Sequence, residues 1–258
     1  MNTAWLILSW LAATEALTLA TWPLARRALP GTLDRGWAAS RVMSLMLLSV
    51  AVGAAAMLRL VAFERSTLLA FVAIGGGLVW LACRPRPGTR PPRARGGSTV
   101  VGRGPRRSLL KEVRHTAELL GPRRLPRELL VGEAVFLGTL GIALGLRALF
   151  PSVDNNERPM DFAFLDAFVR AGTLPPPDPW FAGQPISYYT LGYLSWASLT
   201  RLSGVPVEVA YNLAVASVFA VAAAAVWATA GSWRGRLSDG FLAAATFGLV
   251  GNLRTLVD

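Results

Sequence analysis

Two carboxylates four residues apart, Glu157 and Asp161, stand in the stretch PSVDNNERPMDFAFLDAFVRAGTLPPPDPWFAGQPISYYTLGY, Pro151 to Tyr193. Arg158 lies between them, Arg147 shortly before, and Trp180, Tyr188, Tyr189 and Tyr193 follow. A positioned carboxylate can act as a general base toward a hydroxyl or place a divalent ion. An arginine fork pairs two phosphate oxygens while staying charged. Aromatic rings with a polar tip suit the depth where a membrane meets water. Each feature also has a plainer reading: Asp161 as a helix-start acid, the tyrosines as an aromatic belt, Arg147 as a side chain snorkelling to headgroups. Their convergence at one place gives the sharper reading, a site that meets a lipid-linked phosphate.

The elements that must hold these groups follow from local pattern. Pro159 suits the first turn of a helix, where its missing N–H costs nothing. Met160, Phe164 and Phe168 then form a stripe joined by Leu165 and Val169, and Gly172 suits the C-cap. The expectation is a short amphipathic helix over 159–170, lying on the membrane surface with its apolar face toward lipid. Asp161 falls in its first turn and Glu157 just before it. LPPPDPWFAGQP then reads as a stiff extended arm with Trp180 as an interfacial anchor and Gly183 as a turn. Beyond the arm, Tyr189, Tyr193 and Trp196 share one helical face.

The rest of the chain explains the setting. Of 258 residues, 53% are hydrophobic and only 16% charged, against about 25% charged in ordinary soluble domains. Windows near the 20 apolar residues that a spanning helix needs occur at Ala4–Leu24, Val42–Phe63, Leu68–Cys83, Leu129–Phe150, Ile186–Leu202, Val209–Ala230 and Leu237–Val257. The expected fold is all-α, a polytopic helix bundle of about seven spans. Its parts are three leading spans (1–83), a basic loop (84–127) and a membrane region (128–258) with a loop at 151–185. The first window lacks a basic leader and a cleavage site and reads as a retained span.

Charge sets the expected orientation. The block from Arg84 to Glu128 carries half of the 26 Lys and Arg residues against three acids, and so nearly all of the net +11. A basic block between apolar runs marks a cytoplasmic loop near anionic lipid, not a nucleic-acid surface. Alternation then puts 25–41, with Arg26, Arg27, Arg35 and Arg41 against Asp34, on the same side. The N-terminus and the acidic loop 151–185 fall outside. The short 231–238 loop also falls outside, and its Arg234 and Arg236 dissent. Within the block, Arg84–Arg107 reads as disordered, and Ser108–Leu120 as an amphipathic helix on the inner surface. With one cysteine, Cys83, no internal disulfide can form. The single His115 and the lack of a Cys/His cluster offer no metal motif, and no phosphate-loop or nucleophile-elbow pattern occurs.

The run ERPMD, FLDAF, PPPDPWFAGQPISYY and LGY, with VAYNLAVAS after it, resembles the triple-tyrosine (Chlor_Arch_YYY) family of uncharacterised multispanning membrane proteins. The likeness spans about 128–252. It places Glu157 and Asp161 on the family's E-[KR]-P-M-D motif, with Arg158 where lysine is usual. Tyr188 and Tyr189 match two of the three tyrosines. Thr190 replaces the third, and Tyr193 stands where a histidine is common. The resemblance implies a fold like the GT-C integral-membrane glycosyltransferases, which carry an acidic residue in a long outer loop and use polyprenyl-phosphate sugars. It implies Asp161 or Glu157 as the catalytic carboxylate, a general base on an acceptor hydroxyl or the group that positions a divalent ion, and substrate contacts from Arg147, Arg158, Trp180, Tyr188, Tyr189 and Tyr193. The implied partners are membrane lipid and a lipid-linked sugar; a divalent cation is an optional cofactor. Members are longer, so the chain is expected to be a fragment or an N-terminal portion. Sugar, acceptor, metal need and oligomeric state stay open. Two rivals stand beside this reading. A transporter or flippase would use the intramembrane Glu15, Glu133, Asn212 and Asn252 as a pathway, although Glu133, about one turn in, can snorkel. A noncatalytic scaffold would use the basic loop.

Overall fold

A computed structural model describes residues 2–84, 127–153 and 157–250. The expected disordered stretch and amphipathic helix of the basic block, with Asp154 and Asn252, lie outside the described residues. The described chain is helical: α1 Thr3–Ala28, α2 Trp37–Met57, α3 Arg65–Ala82, α4 Arg127–Leu149, α5 Arg158–Arg170, α6 Thr190–Ser203, α7 Val207–Arg234 and α8 Leu237–Val250. The one β feature among the described residues is an isolated bridge between Pro177 and Pro185. Five helices (α1, α2, α3, α4 and α7) are long and apolar enough to cross a membrane.

The path follows from contacts at the helix ends. Leu33 donates its N–H to Ser232 Oγ at 2.8 Å, tying the α1–α2 turn to the α7–α8 turn. Arg27 donates to the carbonyls of Ala82 and Arg84 at the end of α3. Gly132 of α4 faces Trp227 of α7. Residues 26–36, 82–84, 127 and 231–237 therefore gather at one end, which carries seven arginines against Asp34, Glu128 and, just inside α8, Asp239. At the other end Arg147 of α4 donates to Asn212 near the start of α7. That second end holds α5, the arm 171–189 and the start of α7.

Two sequence expectations change here. The window at 186–202 gives α6, a helix of 14 residues, or about 21 Å, seated wholly at the second end. Leu194 packs over Gly53, Trp196 stacks on Trp10 with ring centroids 6.2 Å apart, and Gly204 sits beside Arg65 at the start of α3. Tyr189 (φ 43) precedes α6 and Gly204 (φ 70) ends it, and the left-handed turn at Gly204 needs no Cβ. Four hydroxyls, on Ser195, Ser198, Thr200 and Ser203, donate back to α6's own carbonyls. They satisfy themselves and leave a slim helix that packs closely. Because α6 returns to the end it started from, 231–237 shares an end with 29–36, where alternation over seven spans had placed it opposite.

The second change concerns α5. Its stripe does not lie on lipid. Phe164, Leu165 and Phe168 are buried against the bundle, with Phe164 packed on Tyr188 and Tyr193 and Phe162 edge-on to Tyr211. Nor does Gly172 cap it. The helix ends at Arg170, and Arg201 of α6 donates to the carbonyls of Val169 (2.9 Å) and Ala171 (2.6 Å). The Arg201 guanidinium lies 4.5 Å over the Phe63 ring. An arginine at a helix C-terminus meets both its orphan carbonyls and its negative dipole end.

Association of the long helices rests on close approach, since lipid is as apolar as a leucine face. A Cβ on Gly132 would come 2.9 Å from the Trp227 ring, and one on Gly240 2.6 Å from the Trp227 carbonyl. Arg41 holds the basic half together. It is 1% exposed and pairs with Glu15 of α1 at 2.8 Å and with Glu133 of α4. Trp37 also donates to Glu133 at 2.8 Å. Arg41 is thus a buried tie between three helices and not a loop charge, and Glu133 turns inward to it instead of snorkelling.

Candidate functional site

Asp161 sits in the first turn of α5, where backbone N–H groups and the helix dipole favour a carboxylate. The α5–α6 packing brings Tyr193 onto it. The Tyr193 hydroxyl donates to Asp161 Oδ1 at 2.6 Å, the short distance of a charge-assisted bond. Burial first, and this bond second, push the Tyr193 phenol well above its ordinary pKa, so it stays a donor. Asp161 Oδ2 has no hydrogen-bond partner among the described residues.

This pair stands at the mouth of a cleft of about 270 Å³ between α5, α6 and α7. Asp161, Tyr189, Tyr193 and Tyr211 make its polar rim. Its floor is Ala214, Val215 and Val218 of α7, with Leu165 and Trp196 as walls. From Tyr211 to Val218 the floor descends about 10 Å along α7. Val215 and Val218 are themselves exposed on the side of the bundle, so the cleft opens toward the depth of the spanning helices. The arrangement is amphipathic: a carboxylate and phenols above, aliphatic wall below. Tyr189 takes its left-handed backbone here, a conformation a bulky residue rarely adopts. It presses its ring on Tyr188 at 4.2 Å between centroids.

The other expected residues divide. Tyr188 packs beside the rim, and its phenol is raised by desolvation, by its bond with Tyr189 and by the nearby carboxylates of Glu157 and Asp161. Glu157 is the exposed N-cap residue of α5, makes no side-chain cap bond and does not line the cleft. Arg147 is occupied: its Nε donates to Asn212 Oδ1 at 2.9 Å and its Nη2 to Asn212 and to the carbonyls of Pro151 and Ser152. It joins α4 to α7 rather than snorkelling. Arg158 has no partner among the described residues. Both arginines lie close enough to the Tyr211 hydroxyl to act on it electrostatically. Trp180 is away from the cleft. It projects with Phe181 from the tip of the arm, where Asp178 Oδ1 accepts from both their N–H groups. Among the described residues, no three His, Cys, Asp or Glu side chains come together to hold a metal ion.

Sequence reasoning missed Tyr211 as part of the rim, Arg201 as the cap of α5 and Arg41 as a buried tie. For Arg41 a signal existed. Glu15 and Glu133 both lie inside apolar windows, and a buried carboxylate demands a cation.

Residues 106–258, more than half of the chain, match a family described as an uncharacterized membrane protein (DUF2298). No curated protein and no solved structure matches the chain. The chain belongs to that family, and with its apolar helices it is a multi-pass membrane protein.

Proposed function

We infer that the protein is an integral-membrane glycosyltransferase of the GT-C kind, taking a polyprenyl-phosphate sugar from the outer leaflet. The observation that carries this reading is the Asp161–Tyr193 pair at the polar mouth of a cleft whose floor is aliphatic and opens sideways. A ligand with a polar head and an isoprenoid tail fits that division. Orientation follows from charge. The end with Arg26, Arg27, Arg35, Arg234 and Arg236 faces the cytoplasm, which puts the N-terminus and α5 outside. The arginines of 231–237, which dissented in the sequence, join the basic side once α6 no longer crosses.

In this mechanism Asp161 Oδ2 takes the proton of an acceptor hydroxyl as that oxygen attacks the anomeric carbon. The bond from that carbon to the phosphate oxygen breaks, and polyprenyl phosphate leaves with the electron pair. Arg158, with no other partner, offsets the charge on the leaving phosphate. Arg147 positions the 151–153 segment. Tyr193 fixes the Asp161 rotamer and keeps the donor role that a histidine would have there. Glu157 is a second acid, outside the cleft, and Tyr188 and Tyr189 stack the sugar. Trp180 anchors the arm in the interface.

The transporter reading needs its polar groups to face one cavity. They divide instead: Glu15 and Glu133 close on Arg41 at the basic half, and Asn212 closes on Arg147 at the other. The test is Asp161→Asn beside Glu157→Gln, assayed for sugar transfer from a panel of polyprenyl-phosphate donors. A helix-start acid contributes about 0.3–1 kcal/mol, whereas a general base contributes about 10²–10⁴-fold in rate. Asp161→Asn should keep its stability and lose transfer by at least a hundredfold, with Glu157→Gln milder. Unchanged transfer in Asp161→Asn, or no transfer by a folded parent on any donor, refutes the reading.

A further inference from the structure

We propose that a second lipid site lies on the far side of α6, in the groove between α1, α3 and α6, and that it selects an anionic phospholipid of the bilayer. The groove has a volume of about 540 Å³ and an almost wholly apolar lining, including Trp5, Ala12, Leu17, Leu69 and Val72. Its one charged lining group is Arg65, at its mouth. Arg65 begins α3, the end where the helix dipole is positive and a cation is least at home. No carboxylate pairs with it among the described residues: the neighbouring Glu64 accepts from Ser66 instead. Its guanidinium reaches over Gly204, at the junction of α6 and α7. An exposed, unpaired arginine above an apolar slot is complementary to a phosphate head with a hydrocarbon tail.

Length identifies the occupant. The slot runs along α1 from Trp5 to Leu17, about 18 Å of helix. That is roughly one leaflet of a hydrocarbon core about 30 Å thick. An acyl chain fills it, while a polyprenyl chain overruns it. The site is separate from the cleft of the previous section, since the stacked Trp10 and Trp196 stand between them, and it does not depend on the transferase reading.

The experiment uses the purified whole chain in nanodiscs of phosphatidylcholine containing a trace of either phosphatidylglycerol or phosphatidylcholine with a diazirine on one acyl chain. After irradiation, labelled peptides are identified by mass spectrometry. The expected result is labelling of α1 and α3 peptides about tenfold stronger from the glycerol lipid, the worth of one charge-assisted contact. Arg65→Gln should remove that preference and keep the residual labelling. Ala12→Phe, which fills the slot from an exposed position, should remove labelling from both lipids. Thermal melting of each variant reads its fold, and Arg65→Lys should restore part of the preference if charge is the cause. Equal labelling by the two lipids, a preference unchanged in a folded Arg65→Gln, or label confined to other helices overturns the proposal. Crosslinks between two copies through α1 and α3 would overturn it in favour of a dimer.

Discussion

Arg41 is the most exacting test of the bundle, because three helices meet on one side chain. It is 1% exposed, its two carboxylate partners are 30% and 23% exposed, and its guanidinium lies 3.9 Å over the Phe136 ring. Arg41→Met keeps the volume and removes the charge. Glu15 and Glu133 then face each other with only the Trp37 N–H left to Glu133. Removing one partner of a buried pair costs about 3–5 kcal/mol. The partial exposure of both acids lets them take up a proton or water, so the lower figure applies, about 3 kcal/mol. In a chain of this length that corresponds to a drop in Tm of roughly 6–12 °C. Glu15→Gln should cost only about 1 kcal/mol, because Arg41 keeps Glu133 and the amide still accepts a hydrogen bond. Neutralising all three groups, with Arg41→Met, Glu15→Gln and Glu133→Gln together, should recover most of the loss, as replacement of buried ion clusters by uncharged side chains often does. The assay is thermal unfolding in one detergent, with the three variants measured beside the parent. An Arg41→Met protein within about 1 kcal/mol of the parent would refute the buried tie. So would a triple variant no better than Arg41→Met alone.

Single cysteines in a Cys83→Ala background should separate the chain path from simple alternation. Ser98→Cys and Ser238→Cys should react with an impermeant thiol reagent from the same face, and Ser152→Cys from the other; labelling of Ser238→Cys together with Ser152→Cys would restore a crossing for α6. Gly240→Val should destabilise the α7–α8 hairpin by more than about 2 kcal/mol in the same unfolding assay, because its Cβ would come 2.6 Å from a backbone carbonyl that cannot move aside. Tyr193→Phe should lose transfer by about tenfold through a freed Asp161 while Tyr193→His keeps most of it, since histidine can donate to the same oxygen; equal losses would remove Tyr193 from the site.

The long spans were readable because nothing but helices satisfies a backbone in lipid, so apolar length alone marks them. The start of α5 was readable for a local reason, Pro159 and Asp161 in its first turn. What lay beyond local pattern was the choice of partner. The stripe of Phe164, Leu165 and Phe168 predicts an apolar contact, but the sequence does not say whether lipid or α6 supplies it. The 186–202 window has the hydropathy of a span. Its left-handed residues, Tyr189 and Gly204, set its limits, and only Gly204 gives a sequence signal. Arg201 and Arg41 were hidden for the same reason: each acts on chain far away, on Val169 and Ala171 or on Glu15 and Glu133.

The short α6 also explains why a polar site can exist beside spanning helices at all. A seventh crossing would have run an apolar wall past Asp161. A helix that stops short leaves α7 uncovered below Tyr211, and the uncovered strip of Ala214, Val215 and Val218 becomes the floor of the cleft. The same helix carries Tyr193 to Asp161 on one side and Leu202 to the α1–α3 groove on the other. It is held along its length, by Leu194 over Gly53, Trp196 on Trp10 and Arg201 on the end of α5.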